Sequence, residues 1–190
     1  MTIISIWCRH KDDNVIGIGP NIPWHVSSDF KRFKRITEGQ SLIAGERTYE
    51  TFPNRTLPRR KIYVLTFNAE YEVSDKQNHF VVTDAKDFAT MTENLYLAGG
   101  ASVYKLFMTT EESLLPSVVV DCVYQGDLDS SLQGPKIDIT PCVDVLHSKY
   151  KKFSADYEQD QIITSVWVKK GDFVDLNLIN HIVQSIENKG

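Results

Sequence analysis

The stretch Val15 to Phe52, V-I-G-I-G-P-N-I-P-W-H-V-S-S-D-F-K-R-F-K-R-I-T-E-G-Q-S-L-I-A-G-E-R-T-Y-E-T-F, decides how the chain is read. It opens with a Gly/Pro-rich loop closed by Pro23-Trp24. Ser27 and Ser28 then offer themselves as N-caps of a helix that carries Asp29 in its first turn. On that helix Asp29, Arg32, Phe33 and Ile36 fall at i, i+3, i+4 and i+7, so the carboxylate shares a face with Phe33 and Ile36. The short strand Leu42-Ile43-Ala44 follows, ends at Gly45, and gives way to a second helix near Arg47-Thr48. An Asp in a first helical turn ordinarily just complements the helix dipole. Here its apolar neighbours and the Pro-Trp five residues upstream point instead to a carboxylate in an aromatic-walled cleft. Beside it lies a strand–Gly–helix turn suited to a phosphate.

The remaining chain is compatible with a small-molecule enzyme. At 190 residues it is long enough for one well-buried core and short for two. A net charge of −4 argues against general nucleic-acid binding. Basic residues nonetheless cluster at Lys31, Arg32, Lys34 and Arg35, and again at Arg55, Arg59, Arg60 and Lys61; flanking a cleft, they would favour an anionic ligand. Cys8, Cys122 and Cys142 form no disulfide framework or zinc spacing, and the five histidines are scattered, so no metal site is expected. The N-terminus enters a strand pattern without a signal-peptide n-region, and no apolar run approaches membrane-spanning length. A cytoplasmic protein without membrane contact is the expectation.

Taken in order, Ile3 to Cys8 reads as a buried strand, Arg9 to Asn14 as a polar turn, and Val15 to Gly17 as a brief extended piece. The loop Ile18 to Trp24, with Gly19 and Pro20, can move and can lie close over a ligand. Strands are expected at Ile62 to Thr66, Phe80 to Val82 and Leu95 to Ala98, with helices at Arg47 to Phe52, Ala85 to Met91 and Ser102 to Met108. Strands and helices alternate, which implies an α/β fold around a mostly parallel sheet. Val118 to Tyr124 and Ile162 to Lys169 read as an antiparallel hairpin completing one edge, with Ser130 to Asp144 a long loop. Ile179, Ile182, Val183 and Ile186 mark an amphipathic helix. The expected organisation is one domain over 1–170, a twisted central sheet flanked by helices, with a helical extension over 171–190. That helix packs on its own domain in a monomer, or bridges a dimer.

The run V-I-G-x-x-x-x-I-P-W-x-x-x-x-D-F-x-x-F-K-x-x-T, together with Gly99-Gly100, resembles the dihydrofolate reductase family over about residues 2 to 125. The resemblance implies reduction of 7,8-dihydrofolate by hydride from NADPH, with NADH as a second donor, and binding of antifolates such as methotrexate or trimethoprim. It implies catalytic roles for Asp29, Trp24 and Ile22: Asp29 pairs with the pterin, Trp24 helps hold a water, and the loop through Asn21 and Ile22 closes over the nicotinamide. Ile6, Trp7, Cys8, Phe30, Phe33, Phe52 and Leu57 map onto substrate-pocket positions. Arg60, in the L-P-x-R pattern, maps onto the arginine that grips the substrate's α-carboxylate, a bidentate task suited to guanidinium. On the cofactor side the matching positions are Cys8, Ile16, Asn21, Ile22, Gly45, Arg47, Thr48, Leu65 and Thr66. Ala98, Gly99, Gly100, Ala101, Ser102, Val103 and Tyr104 complete that side, with Gly99 and Gly100 joined by a cis peptide.

Several residues depart from the pattern. Glu46 stands where many relatives carry a basic residue and Ser102 where some carry arginine, which loosens the preference for NADPH over NADH. Trp7 replaces a small side chain and Ala98 a larger one. Near Asp121 the family often places a threonine that hydrogen-bonds the acidic residue, so either Asp121 or Cys122 is expected beside Asp29. A carboxylate among apolar side chains should titrate above its ordinary value. Two other readings are a reductase of the riboflavin-biosynthesis type, which also has a Gly-Gly turn, and a non-catalytic binding module on the same scaffold. Asp29, Trp24 and Arg60 together favour the dihydrofolate reductase reading over both.

Overall fold

Strand alternation along Ile3–His10 sorts the core into two halves. Ile3 and Trp7 point to one side of the strand, Ile4 and Ile6 to the other, and all four are buried. The computed structural model describes residues 1–110 and 112–188. Its elements in the first half are β1 Ile3–His10, β2 Val15–Ile18, α1 Ser27–Thr37, β3 Ser41–Gly45, α2 Glu46–Thr51, β4 Lys61–Leu65 and β5 His79–Val82. The rest are β6 Leu95–Leu97, α3 Ala101–Lys105, β7 Val118–Tyr124, β8 Lys136–Asp138, α4 Thr140–Lys149, β9 Tyr150–Lys152, β10 Tyr157–Gln159, β11 Ile162–Lys169 and α5 Leu176–Glu187.

The main sheet runs β10-β11-β7-β1-β6-β3-β4-β5, with β9 also paired to β11, while β2 and β8 form a separate antiparallel pair. From β7 through β5 every neighbour is parallel; β11 is antiparallel to β7, as are β9 and β10 to β11. The expected α/β class and mostly parallel sheet are therefore present, and the antiparallel edge is real. It is not a simple hairpin. The segment expected as a long loop holds β8 and α4, where Pro141 sits in the first helical turn and Cys142, Val143 and Leu146 turn inward. Proline is tolerated there because its missing N–H would have no helical partner.

Other boundaries also move. β1 continues through Arg9 and His10, both buried, because a carboxylate across the sheet takes the arginine's charge. Ser27 and Ser28 are inside α1 and do not cap it; Val26 holds the cap position, and Asp29 N–H reaches back to the Val26 carbonyl. Ala85–Thr90 winds as a 3-10 helix, capped by the Asp84 side chain on Lys86 N–H. α3 runs on into a π-helical turn over Leu106–Thr110.

One side of the sheet packs Ile43, Leu97 and Val119 beneath Phe107, Cys142 and Leu146. The other packs Leu42, Val120 and Val166 against Ile36 of α1 and Ile179, Ile182 and Ile186 of α5. The apolar stripe of α5 is thus spent within the chain, and Arg35 Nε of α1 donates to the Ser185 carbonyl at 2.8 Å. Residues 189–190 of the expected extension lie outside the described residues. Ile182 is fully buried, so Ile182→Ala should cost about 2–5 kcal/mol. Thermal unfolding should then come roughly 4–20 °C earlier. His181→Ala, on the exposed side, serves as the control, and an unmoved Ile182→Ala midpoint would mean that α5 does not dock.

Candidate active site

The period of α1 turns Asp29 and Arg32 to the sheet, and Lys31 and Lys34 to solvent. The Asp29 side chain is 16% exposed and the Arg32 side chain 1%, with Arg32 Nη1 3.4 Å from Asp29 Oδ1. Cys8 of β1 and Cys122 of β7 are register partners on this side of the sheet, and Trp24 closes the group from the loop before α1. Burial raises the Asp29 carboxyl above its ordinary value; Arg32, then Trp24 and Cys8, pull it back. Burial likewise lifts the Cys8 thiol well above its usual range and the Cys122 thiol to about 12, so both are neutral neighbours. Trp24 stacks on Tyr124 at 5.0 Å and turns its buried indole Nε1 toward Asp29.

Strand alternation resolves the two options for β7. Cys122 lies on the side of Asp29, while Asp121 points through the opposite face. There Asp121 takes Arg9 Nε at 2.9 Å, Arg9 Nη2 at 3.0 Å and Trp7 Nε1 at 2.7 Å. Trp7 is thereby turned away from Asp29 and packs edge-on to Tyr104, with ring centroids 5.6 Å apart. Of the residues expected around the substrate, Ile6, Cys8, Phe33 and Leu57 gather on the Asp29 side. Phe52 packs beside Leu57 on the neighbouring cluster around Tyr49, and Phe30 stays 55% exposed.

Arg60 precedes β4 and is 7% exposed. It donates from Nε to Thr37 Oγ1 at 3.0 Å, from Nη1 to the Pro58 carbonyl at 3.1 Å and from Nη2 to the Lys34 carbonyl at 3.3 Å. A guanidinium has five N–H groups, so these bonds fix its plane and leave donors for an anion.

Across the sheet, two strand-to-helix turns meet. Gly45 N–H donates to the Gly99 carbonyl at 2.8 Å, and the Gly99–Gly100 peptide is cis, as the resemblance implies. A Cβ on Gly100 would lie 2.9 Å from Thr48 Oγ1 and one on Gly45 3.2 Å from Val103 Cγ2, so glycine is what lets the turns approach. Gly99 has φ +106. Tyr104 donates to the Ile6 carbonyl at 2.5 Å and links this turn to β1. Ile16, Leu65 and Ala101 pack against the same side, Ala98 on the other; Arg47 and Ser102 are exposed. The buried Thr66 hydroxyl donates to Glu46, which places an anion where the resemblance implies a cation.

The loop bearing Asn21 and Ile22 is exposed at both residues but tied at its ends. Gly19 N–H reaches the Pro135 carbonyl at 3.0 Å, and Asp129 N–H reaches the Pro23 carbonyl at 2.9 Å. Two features escaped the sequence reading: Arg32 as the ion partner of Asp29, and the Trp7–Asp121–Arg9 network. A charged residue at i+3 on an otherwise apolar helix face was the available signal for the first. The second needed the register of β1 against β7.

The dihydrofolate reductase family model matches residues 2–158. A dihydrofolate reductase of Mycoplasma genitalium is 26% identical over 163 residues, covering 82% of this chain and 96% of its own length. The type 1 dihydrofolate reductase of Escherichia coli is 31% identical over 129 residues, covering 66% and 79%. In fold, the chain resembles the Enterococcus faecalis dihydrofolate reductase solved with NADP(H) and RAB-propyl. The TM-score is 0.68 at 21% identity, over 89% of this chain and 96% of that one.

Proposed function

The chain belongs to the dihydrofolate reductase family, and we propose on that premise that it reduces 7,8-dihydrofolate to 5,6,7,8-tetrahydrofolate with NADPH. One observation carries the reading. A half-buried carboxylate, Asp29, lies on the same side of the sheet as Phe33 and Leu57, and an arginine with donors to spare is fixed at Arg60. The carboxylate can accept two N–H bonds from the aminopyrimidine edge of a pterin, and the guanidinium can take a glutamate carboxylate.

Bound NADPH would supply the hydride that goes to C6, and the balance of the reaction is one proton taken up at N5. Asp29 orients the ring and favours its protonated form. Trp24, whose indole Nε1 faces that carboxylate closely enough to help lower its pKa, fits a role in holding a water that relays the proton. Ile22 and Asn21 would cover the reacting face, and Ile6 and Cys8 form its floor. The glycine cradle fits a dinucleotide: Gly45, Gly99 and Gly100 with Thr48 for the phosphates, Ala101 to Tyr104 behind them, and Arg47 at the exposed rim. Glu46 on Thr66 weakens the case for a 2′-phosphate and makes NADH the competing donor. The reading extends to a monomer in the cytoplasm that binds methotrexate or trimethoprim at Asp29. It is supported by the in-chain docking of α5 and by the lack, among the described residues, of any helix able to cross a membrane.

The test is dihydrofolate-dependent oxidation of NADPH and NADH, followed by absorbance. Absence of turnover with both, from folded protein, would overturn the reading and move the riboflavin-type reductase ahead. Arg60→Leu should raise KM for dihydrofolate about 10- to 150-fold, the equivalent of about 1.5–3 kcal/mol for a charged hydrogen bond, with kcat little changed. A dihydropterin without the glutamate should be reduced equally by both proteins. Equal loss on that truncated substrate would assign Arg60 a purely architectural role.

A further inference from the structure

Arg32 is among the largest fully buried side chains of the protein, yet its Nε and Nη2 have no hydrogen-bond partner among the described residues. Among the described residues its sole ion pair is the Nη1–Oδ1 contact to Asp29 at 3.4 Å. A guanidinium withdrawn from water costs several kcal/mol unless an anion compensates it.

The surroundings narrow that anion to one. From β1 and β7 come Cys8 and Cys122, both held as neutral thiols, with the Thr164 hydroxyl of β11 on Cys122 Sγ at 3.5 Å. From β6 comes Tyr96, whose buried phenol is pushed up to about 12 and is neutral. The loop before α1 supplies Trp24. On α5 the inward residues Ile179, Ile182, Ser185 and Ile186 carry no charge, while His181 and Glu187 face solvent. Asp121 lies on the far face and is taken by Arg9, and Tyr104 lies there with it. Among the described residues Asp29 alone remains.

We propose that Arg32 is a positioning residue for Asp29: its buried guanidinium holds the carboxylate in one orientation and in its charged form, so the cleft is electrically balanced before a ligand enters. The geometric and electrostatic parts stand on the structure alone; the consequence for turnover rests on the reductase reading. Burial drives Asp29 toward the neutral acid, which could donate but not accept along both oxygens. Arg32 opposes that drive from a position that leaves Asp29 Oδ2 unengaged by it.

The test uses the full chain without ligand. The Asp29 carboxyl is followed by carbon NMR through a pH titration, assigned by its loss in Asp29→Asn. Arg32→Met should raise the Asp29 midpoint by about 1–3 pH units, the usual effect of an adjacent arginine. Arg32→Lys, which keeps the charge, should raise it less. In the wild type the Arg32 Nε–H resonance should move with the same midpoint as Asp29, a readout that needs no folded variant. An unmoved Arg32 signal, an unchanged midpoint in folded Arg32→Met, or an equal shift in Arg32→Lys each overturns the proposal. Under the reductase reading, the acid limb of kcat/KM should shift in parallel. A chain inactive on dihydrofolate but with coupled Arg32 and Asp29 titrations would refute the reaction and keep the pair.

Discussion

Asp29→Asn should lower kcat/KM for dihydrofolate at neutral pH by about 10²–10⁴-fold, the range of a positioned acid–base group. Asparagine keeps the shape and removes the charge, so the pterin's N–H donors meet an amide that is itself half donor. With the carboxylate gone, the proton at N5 comes from solvent. The residual rate should therefore rise about tenfold per unit as pH falls toward the pterin's own ionisation, a slope the wild type lacks in that range. A mutant retaining more than a tenth of wild-type activity at pH 7 would remove Asp29 from the mechanism. Stability supplies an independent check. Asp29 titrates above the ordinary 3.8 when folded, so the folded state holds that proton more tightly than the unfolded chain. Its contribution to stability is greatest below that value and declines as pH rises, until the raised folded value is passed. The wild-type melting temperature, measured relative to Asp29→Asn, should fall across the same window.

The second large effect concerns stability rather than chemistry. Asp121 is 2% exposed and holds two bonds from Arg9 and one from Trp7. Asp121→Ala strands a buried guanidinium and an indole N–H together, which should cost about 3–5 kcal/mol. For a chain of this size, the melting temperature should drop by roughly 6–20 °C. Replacing both partners, as Arg9→Met with Asp121→Leu, removes the stranded charge and should recover most of the loss. A double variant no more stable than Asp121→Ala would show that shape, rather than charge compensation, governs this site.

The elements legible in the sequence were those whose period and punctuation agreed. β1, β3 and β7 are runs of apolar residues bounded by turns, and α1 repeats at helical spacing, so their types and approximate limits could be read. Gly45 and Gly99-Gly100 marked the two turns, where an added Cβ would crowd the Val103, Tyr104 and Thr48 side chains. What stayed hidden depended on partners distant in sequence. β8 is three residues long and has meaning only beside β2. Arg9 and His10 looked like a polar turn because nothing local announces a carboxylate 112 residues away. Trp7 was placed with the substrate residues although strand alternation alone sends it to the face opposite Ile6 and Cys8. Arg32 was seen on the right face, but its burial required the packing of α5 and β7 above it.

The clasp between α1 and α5 has a consequence for how the protein comes into being. Arg35 and Ser185 are bonded across 150 positions, and the Ile36 that sits near Asp29 is buried with Ile179, Ile182 and Ile186. On a ribosome adding about 5–20 residues per second, α1 would wait roughly 8–30 s for the segment that seats it. Through that interval its sheet-facing stripe, acid and arginine included, is open to water and to chaperones. The helix that carries Asp29 is thus made early and locked late, so activity should emerge only after residues 179–186 have left the tunnel.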